Sequence, residues 1–197
     1  MSAPTPKSLR IPRRAQRGFT LLEMMTALTI VGILAALALP RLDVDSYKVN
    51  AAVRSITSSL TYAERLAVSL QHDVRVSFDS VGSRLRVHED NNNDGVMDAG
   101  ERVAYNVIES GVIFGRGTAT AFTFGNATFN FTRTQAGLPV VVFRRDGSAS
   151  ESGGFYITAA RSAAAGNPHG VRAGEIIRGS GRVIWHSYAT GAWTRGN

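Results

Sequence analysis

Phe19–Leu39 reads FTLLEMMTALTIVGILAALAL, 21 residues with a single charge, Glu23. As a helix rising ~1.5 Å per residue, this run reaches across the ~30 Å hydrocarbon core of a bilayer. Before it, residues 1–18 hold Lys7, Arg10, Arg13, Arg14 and Arg17 and no acid. That asymmetry keeps the N-terminus in the cytoplasm and sends the rest of the chain across the membrane. A secretory signal is one reading, since Ala36-Leu37-Ala38 has the form of an A-x-A cleavage site, and a plain anchor is another. Glu23 suits neither, because a carboxylate inside an apolar run costs roughly 2.5–3.5 kcal/mol on insertion and normally marks a function.

A third reading comes from Arg17-Gly18-Phe19-Thr20-Leu21-Leu22-Glu23, which resembles the processing site of type IV prepilins and type II secretion pseudopilins. The resemblance implies that prepilin peptidase cuts after Gly18 and that the new N-terminal residue, Phe19, is N-methylated. Glu23 then falls at the fifth mature position, with Gly32 and Pro40 at mature positions 14 and 22. It also implies an assembly role for Glu23. A buried carboxylate is tolerable when paired with a cation, and in this class the cation is the N-terminal amine of a neighbouring subunit.

Beyond Pro40, apolar residues recur at Val49, Val53, Ile56, Leu60, Ala63, Ala67 and Leu70, alternating spacings of four and three. That is one face of a helix. Arg54, Ser58, Thr61 and Arg65 occupy the opposite face. Residues 19 to about 71 are therefore expected to form a stalk helix on the order of 80 Å long, bent or interrupted at Pro40.

After His72 the pattern changes to short alternating or β-branched runs: 74–78, 84–88, 102–108, 112–114, 127–131, 139–144, 155–158, 171–178 and 182–187. Glycines separate most of them, so antiparallel sheets are expected rather than βαβ units. Ala159–Gly170 reads as a mobile surface loop. This order of elements, with Arg144-Arg145-Asp146-Gly147 and Gly181-Arg182-Val183-Ile184, resembles the GspH/FimT family of minor pseudopilins. The expected class is α+β and pilin-like: a long N-terminal transmembrane and stalk helix packed on an antiparallel β-sheet domain. The expected divisions are a leader at 1–18, a membrane segment at 19–39, a periplasmic helix at 40–71 and a β-rich periplasmic domain at 72–197.

Composition narrows the function. The chain has no cysteine, which excludes disulfides, Cys-type zinc sites and thiol catalysis. Its four histidines, His72, His88, His169 and His186, show no metal-protease spacing, and no nucleophile elbow or phosphate-binding loop is present. The expectation is a structural subunit and not an enzyme.

Asp90 to Glu101, DNNNDGVMDAGE, satisfies the D-x-[DN]-x-[DN]-G-x5-E calcium-loop pattern. Asp90, Asn92, Asp94, the Val96 carbonyl, Asp98 and Glu101 are candidate Ca²⁺ ligands, with Gly95 at the sharp turn. No other cofactor is expected. The alternative is a polar turn in which Asp and Asn side chains accept local backbone amides.

The formal charge is +7, of which the first 18 residues supply five positive charges. From Arg133 onward there are eight arginines against Asp146, Glu151 and Glu175, so the final third is basic. Arg172, Arg178, Arg182 and Arg195 lie there with Trp185, Tyr188 and Trp193, an inventory suited to phosphate contact and base stacking. Resemblance to the FimT-like branch implies DNA uptake through such a segment, although Arg182 is followed by Val-Ile-Trp with no second arginine two positions on. The leading expectation is a minor pseudopilin of a type II secretion pseudopilus or type IV pilus. Its expected partners are prepilin peptidase, the inner membrane, other major and minor pilins or pseudopilins, and a secreted substrate; the alternative is a minor pilin that binds DNA.

Overall fold

The computed structural model describes residues 18–38 and 44–196. They form two units, one holding the first helix and the other everything from the second helix onward. Pro40 and the residues of the expected leader before Gly18 lie outside the described residues.

In the first unit, α1 runs Leu21–Ala38. Thr20 caps it: its carbonyl accepts from Met24 N–H at 3.1 Å and its hydroxyl from Glu23 N–H at 3.2 Å. A threonine at this position satisfies donors that have no partner within the helix. Apolar side chains point outward on every side, with Leu21, Leu28, Val31 and Leu34 all exposed. Such a helix needs lipid or other helices around it. Its 18 residues span roughly 27 Å, and among the described residues no helix is long and apolar enough to cross a membrane.

The second unit opens with α2, Val44–Leu70. Val49, Ala52, Val53, Ile56, Leu60, Ala63 and Ala67 are buried along one face. The expected stripe holds except at its end. Leu70 is 42% exposed, because the helix stops there, before Gln71 turns the chain at φ 60°, leaving no sheet beneath its side chain.

Two antiparallel five-stranded sheets follow. The first has the order β3-β2-β1-β6-β5, built from β1 (Asp73–Asp79), β2 (Arg84–Asp90), β3 (Val103–Val107), β5 (Thr134–Gln135) and β6 (Leu138–Phe143). The second has the order β10-β9-β8-β7-β4, from β4 (Val112–Phe114), β7 (Gly153–Ala159), β8 (Arg172–Ile176), β9 (Val183–Ala189) and β10 (Ala192–Arg195). The α2 stripe packs against both sheets in one core. At its centre Phe78 meets Phe114, Phe129, Phe131 and Phe155 with ring centroids 5.1–6.0 Å apart. Offset and edge-on rings at this spacing add to burial.

Strand β7 is buried along its whole length. Phe155 and Ile157 face the α2 core, while Tyr156 lies in a second cluster with Val171, Ala173, Tyr188, Phe122, Phe124 and Trp193. Gly174 is required by this packing, since a Cβ there would enter the Phe155 ring.

Three local features differ from the sequence reading. Residues 127–131 form no strand; they run beside β7 through a single bridge, Phe129 to Phe155, with Asn130 N–H donating to Gly154 C=O at 2.9 Å. The pull of Phe129 and Phe131 into the core replaces a regular ladder. The expected loop 159–170 contains α3, Ala160–Ala164, and Thr118 donates from its hydroxyl to the Gly166 carbonyl at 2.9 Å. Strand β10 was not foreseen: Thr190 and Gly191, at φ 50° and 82°, reverse the chain so that Trp193 pairs with Tyr188.

Candidate functional site

The N-terminal candidates lie together. Gly18 and Phe19 are exposed just ahead of α1, and Glu23 is exposed in its first turn. Thr20 and Glu23 stand at cap and third helical position, the spacing of a capping box. The positive end of the helix dipole favours a carboxylate there, so α1 itself offsets part of the cost of Glu23. The outward-facing carboxylate leaves room for a cation supplied from outside the chain.

The oxygen-bearing side chains of the loop between β2 and β3 accept hydrogen bonds from neighbouring donors. The Asp90 carboxylate is fully buried and receives Arg75 Nε at 2.6 Å, Gly95 N–H at 3.0 Å and Asp94 N–H at 3.1 Å. Glu101 receives Asn91 N–H at 2.9 Å, Asp98 N–H at 3.0 Å and His88 Nε2 at 2.6 Å. The Asp98 amide first, then His88, hold its carboxyl down at about 2. Between them the Asn92 amide donates to both Asp94 and Asp98, at 2.9 and 3.0 Å, and Val96 N–H donates to Asp94 at 2.8 Å. Among the described residues no group of three or more His, Asp or Glu side chains is arranged to hold a metal ion. Two of the carboxylates expected as calcium ligands, Asp90 and Glu101, accept from protein donors, and the Asn92 amide donates to two more. The sequence pattern is that of a cation loop, and in the structure its carboxylates accept from backbone amides, Arg75, His88 and Asn92.

A buried polar chain supports this turn. His88 is fully buried; the Gln135 amide donates to its Nδ1 at 3.0 Å and to the Gly95 carbonyl at 3.0 Å. With Nδ1 accepting, Nε2 carries the proton that Glu101 receives. Arg86 donates to the Gln135 carbonyl at 2.9 Å and to Ser77 Oγ at 3.1 Å. Gln135 was not singled out from sequence, since a glutamine beside a tight turn carries no signal of a partner 47 residues away.

The structure separates the four arginines expected to contact DNA. Arg172 is buried, its Nε donating to Asn50 on α2 at 2.8 Å; a guanidinium that ties a helix to a sheet is not presented to phosphate. Arg178 and Arg182 are exposed around the β8–β9 turn, and Arg195 is exposed on β10 opposite His186. Trp193 donates its indole N–H to the Thr120 carbonyl at 3.0 Å and packs on Tyr188, while Trp185 borders the core with Arg54 over its ring at 6.0 Å. The aromatic faces counted for base stacking are thus used in packing. In their place Arg144 and Arg145 come near, because Ala149 N–H donates to the Arg178 carbonyl at 2.8 Å and the turns holding Gly147 and Gly181 touch. The Ser148 hydroxyl and amide hold the Asp146 carboxyl below its usual range.

A capped, outward-apolar N-terminal helix with a carboxylate in its first turn, followed by an amphipathic helix laid on antiparallel sheets, defines the pilin-like class. The prokaryotic N-terminal methylation motif matches residues 13–39, and the family of the type II transport protein GspH matches residues 52–173. That match spans more than half of the chain, and the protein belongs to the GspH family of pseudopilins. No curated protein and no solved structure matches it. Pseudopilins of this family are structural subunits, processed by prepilin peptidase and assembled with other pilins or pseudopilins from an inner-membrane anchor into a periplasmic structure. The family match ends at Ala173, so Arg178, Arg182, Arg195, β9 and β10 lie beyond it.

Proposed function

We propose that this chain is a minor pseudopilin of a type II secretion pseudopilus or type IV pilus, cut after Gly18 and N-methylated on Phe19. In this reading residues 1–18 are the removed leader and 19–39 sit in the inner membrane with the N-terminus cytoplasmic. Residues 40–71, α2 included, lie in the periplasm, and 72–197 form the globular domain that meets other subunits or a secreted substrate. The supporting observation is the position of Glu23, exposed in the first turn of α1 four residues after Phe19, with its own N–H held by the Thr20 hydroxyl. Cleavage creates a charged amine beside a helix start that already carries an exposed carboxylate. Within one chain the two are too local to organise a fibre; between neighbours the amine of one answers the carboxylate of the other and sets the axial register.

Cells carrying Glu23→Ala or Glu23→Gln test this. Membrane insertion and leader removal should stay normal, while recovery in sheared fibres or in cross-linked pilin complexes falls at least tenfold. Normal incorporation of both variants overturns the role of Glu23, and normal processing of Gly18→Ala overturns the cleavage site.

DNA capture is the second reading, supported by the exposed Arg145, Arg178 and Arg182 and the half-buried Arg144 on two touching turns. Cations on two adjoining turns form a basic rim suited to sequence-independent phosphate contact. Arg172 takes no part in it.

A further inference from the structure

Strand β3 forms one edge of the first sheet. Its bonds to β2 are made by the even-numbered residues: Glu89 N–H donates to the Arg102 carbonyl and Ile108 N–H to the Ser83 carbonyl, both at 2.9 Å. By the alternation of an antiparallel ladder, Val103, Tyr105 and Val107 aim their N–H and C=O groups away from the sheet. Among the described residues no strand pairs with that side.

Edges of this kind are normally blunted by Lys, Pro, a bulge or a covering segment. The sequence Val103-Ala104-Tyr105-Asn106-Val107 has no charge and no proline, and it leaves Tyr105 54% and Val107 69% exposed. The other edges are shorter: β5 has two residues, β4 three, and β10 four including Arg195. Asn106 bonds to Ser55 and Ser59 of α2, so the even side chains face the helix. Tyr105 and Val107 therefore lie on the outer face, where Arg84 covers the Tyr105 ring at 4.5 Å and is itself neutralised by Asp79 at 2.9 Å.

We infer that β3 pairs with β3 of a second copy of this chain, antiparallel about Tyr105, joining the two five-stranded sheets into one. The strand is self-complementary in this register. Residues 103, 105 and 107 of each copy present the outward backbone groups, so Tyr105 meets Tyr105 and Val103 meets Val107 in hydrogen-bonded pairs. Such apolar cross-strand pairs are stabilising. Beyond the strand the register sets Arg102 of one copy opposite Ile108 of the other, and Glu109 opposite Glu101, whose carboxylate is turned inward to His88 and the Asn91 and Asp98 amides. No like charges face each other within the five pairs. The narrow contact belongs to the small, transient class of interfaces, so exchange for other subunits during assembly is not blocked.

The fragment 44–197 contains every residue of both cores and is the material for the test. Sedimentation up to roughly 200 µM, a range suited to a small interface, should show a concentration-dependent dimer. Tyr105→Lys places two like charges on the symmetry axis and should leave only monomer, with an unchanged thermal midpoint. Since the chain has no cysteine, Tyr105→Cys is a clean reporter: hydrogen-bonded pairs lie about 5.5 Å apart at Cα, within disulfide reach. Its oxidation to dimer should run at least tenfold faster than that of Val81→Cys, a loop control 96% exposed. Monomer at every concentration, a persistent dimer in the lysine variant, or equal oxidation of the two cysteines overturns the pairing.

Discussion

Leu60 and Leu70 belong to the same apolar repeat of α2, and periodicity alone ranks them equally. Leu60 is fully buried between the two sheets, whereas Leu70 is 42% exposed at the helix end. Truncating Leu60 to alanine removes transfer energy and leaves a hole that a core held by both sheets fills poorly, a loss of about 3 kcal/mol. Leu70→Ala forfeits only part of the transfer energy and creates no cavity, a loss of about 1 kcal/mol or less. For the 154-residue fragment 44–197, an unfolding entropy near ~2.1 cal/mol/K per residue converts 3 kcal/mol into a drop of roughly 9 °C. The assay is thermal and urea unfolding of the wild-type fragment and both variants, followed by circular dichroism. The urea midpoint should fall for Leu60→Ala with an unchanged slope. Equal losses at the two positions refute the claim that α2 is docked as described.

Three further outcomes are expected. The Glu101 carboxyl is held at about 2 in the folded state, against an ordinary value of 4.5; a depressed carboxyl stabilises above its unfolded value and loses that contribution as pH falls toward the folded one. Urea midpoints should therefore decline between pH 4.5 and 2, and Glu101→Gln should flatten part of that decline. Millimolar calcium should shift the thermal midpoint by less than about 1 °C, since Asp90 and Glu101 already have partners; a rise of several degrees, as mass-action stabilisation gives, that a chelator reverses restores the six-ligand reading. If the arginine rim takes DNA, binding should weaken with salt and fall at least tenfold in Arg178→Ala/Arg182→Ala, with Arg172→Ala losing stability instead; no binding at low salt retires that reading.

Much of the fold was legible because its signals are local. The change from a spacing of three and four to alternation marks the end of α2 within two residues, at Leu70 rather than 71–72. Strand β4 was read at its observed bounds. The failures arise where a segment's state depends on distant partners. Phe129 and Phe131 look like strand residues, yet they serve a core shared with Phe78 and Phe155.

Sequence by itself determined the class: an apolar run with one carboxylate behind a glycine, then an amphipathic helix, then glycine-punctuated strands, all patterns carried within a few neighbouring residues. Tertiary structure alone decided which polar groups remain available. Asp90 and Glu101 are occupied because sheet register brings Arg75 beside one and His88 beside the other. Arg172 is occupied because α2 sets Asn50 against β8, 122 residues away in the chain. A charged residue's type fixes what it can do, but its partners are set by packing between distant segments, which no local pattern encodes.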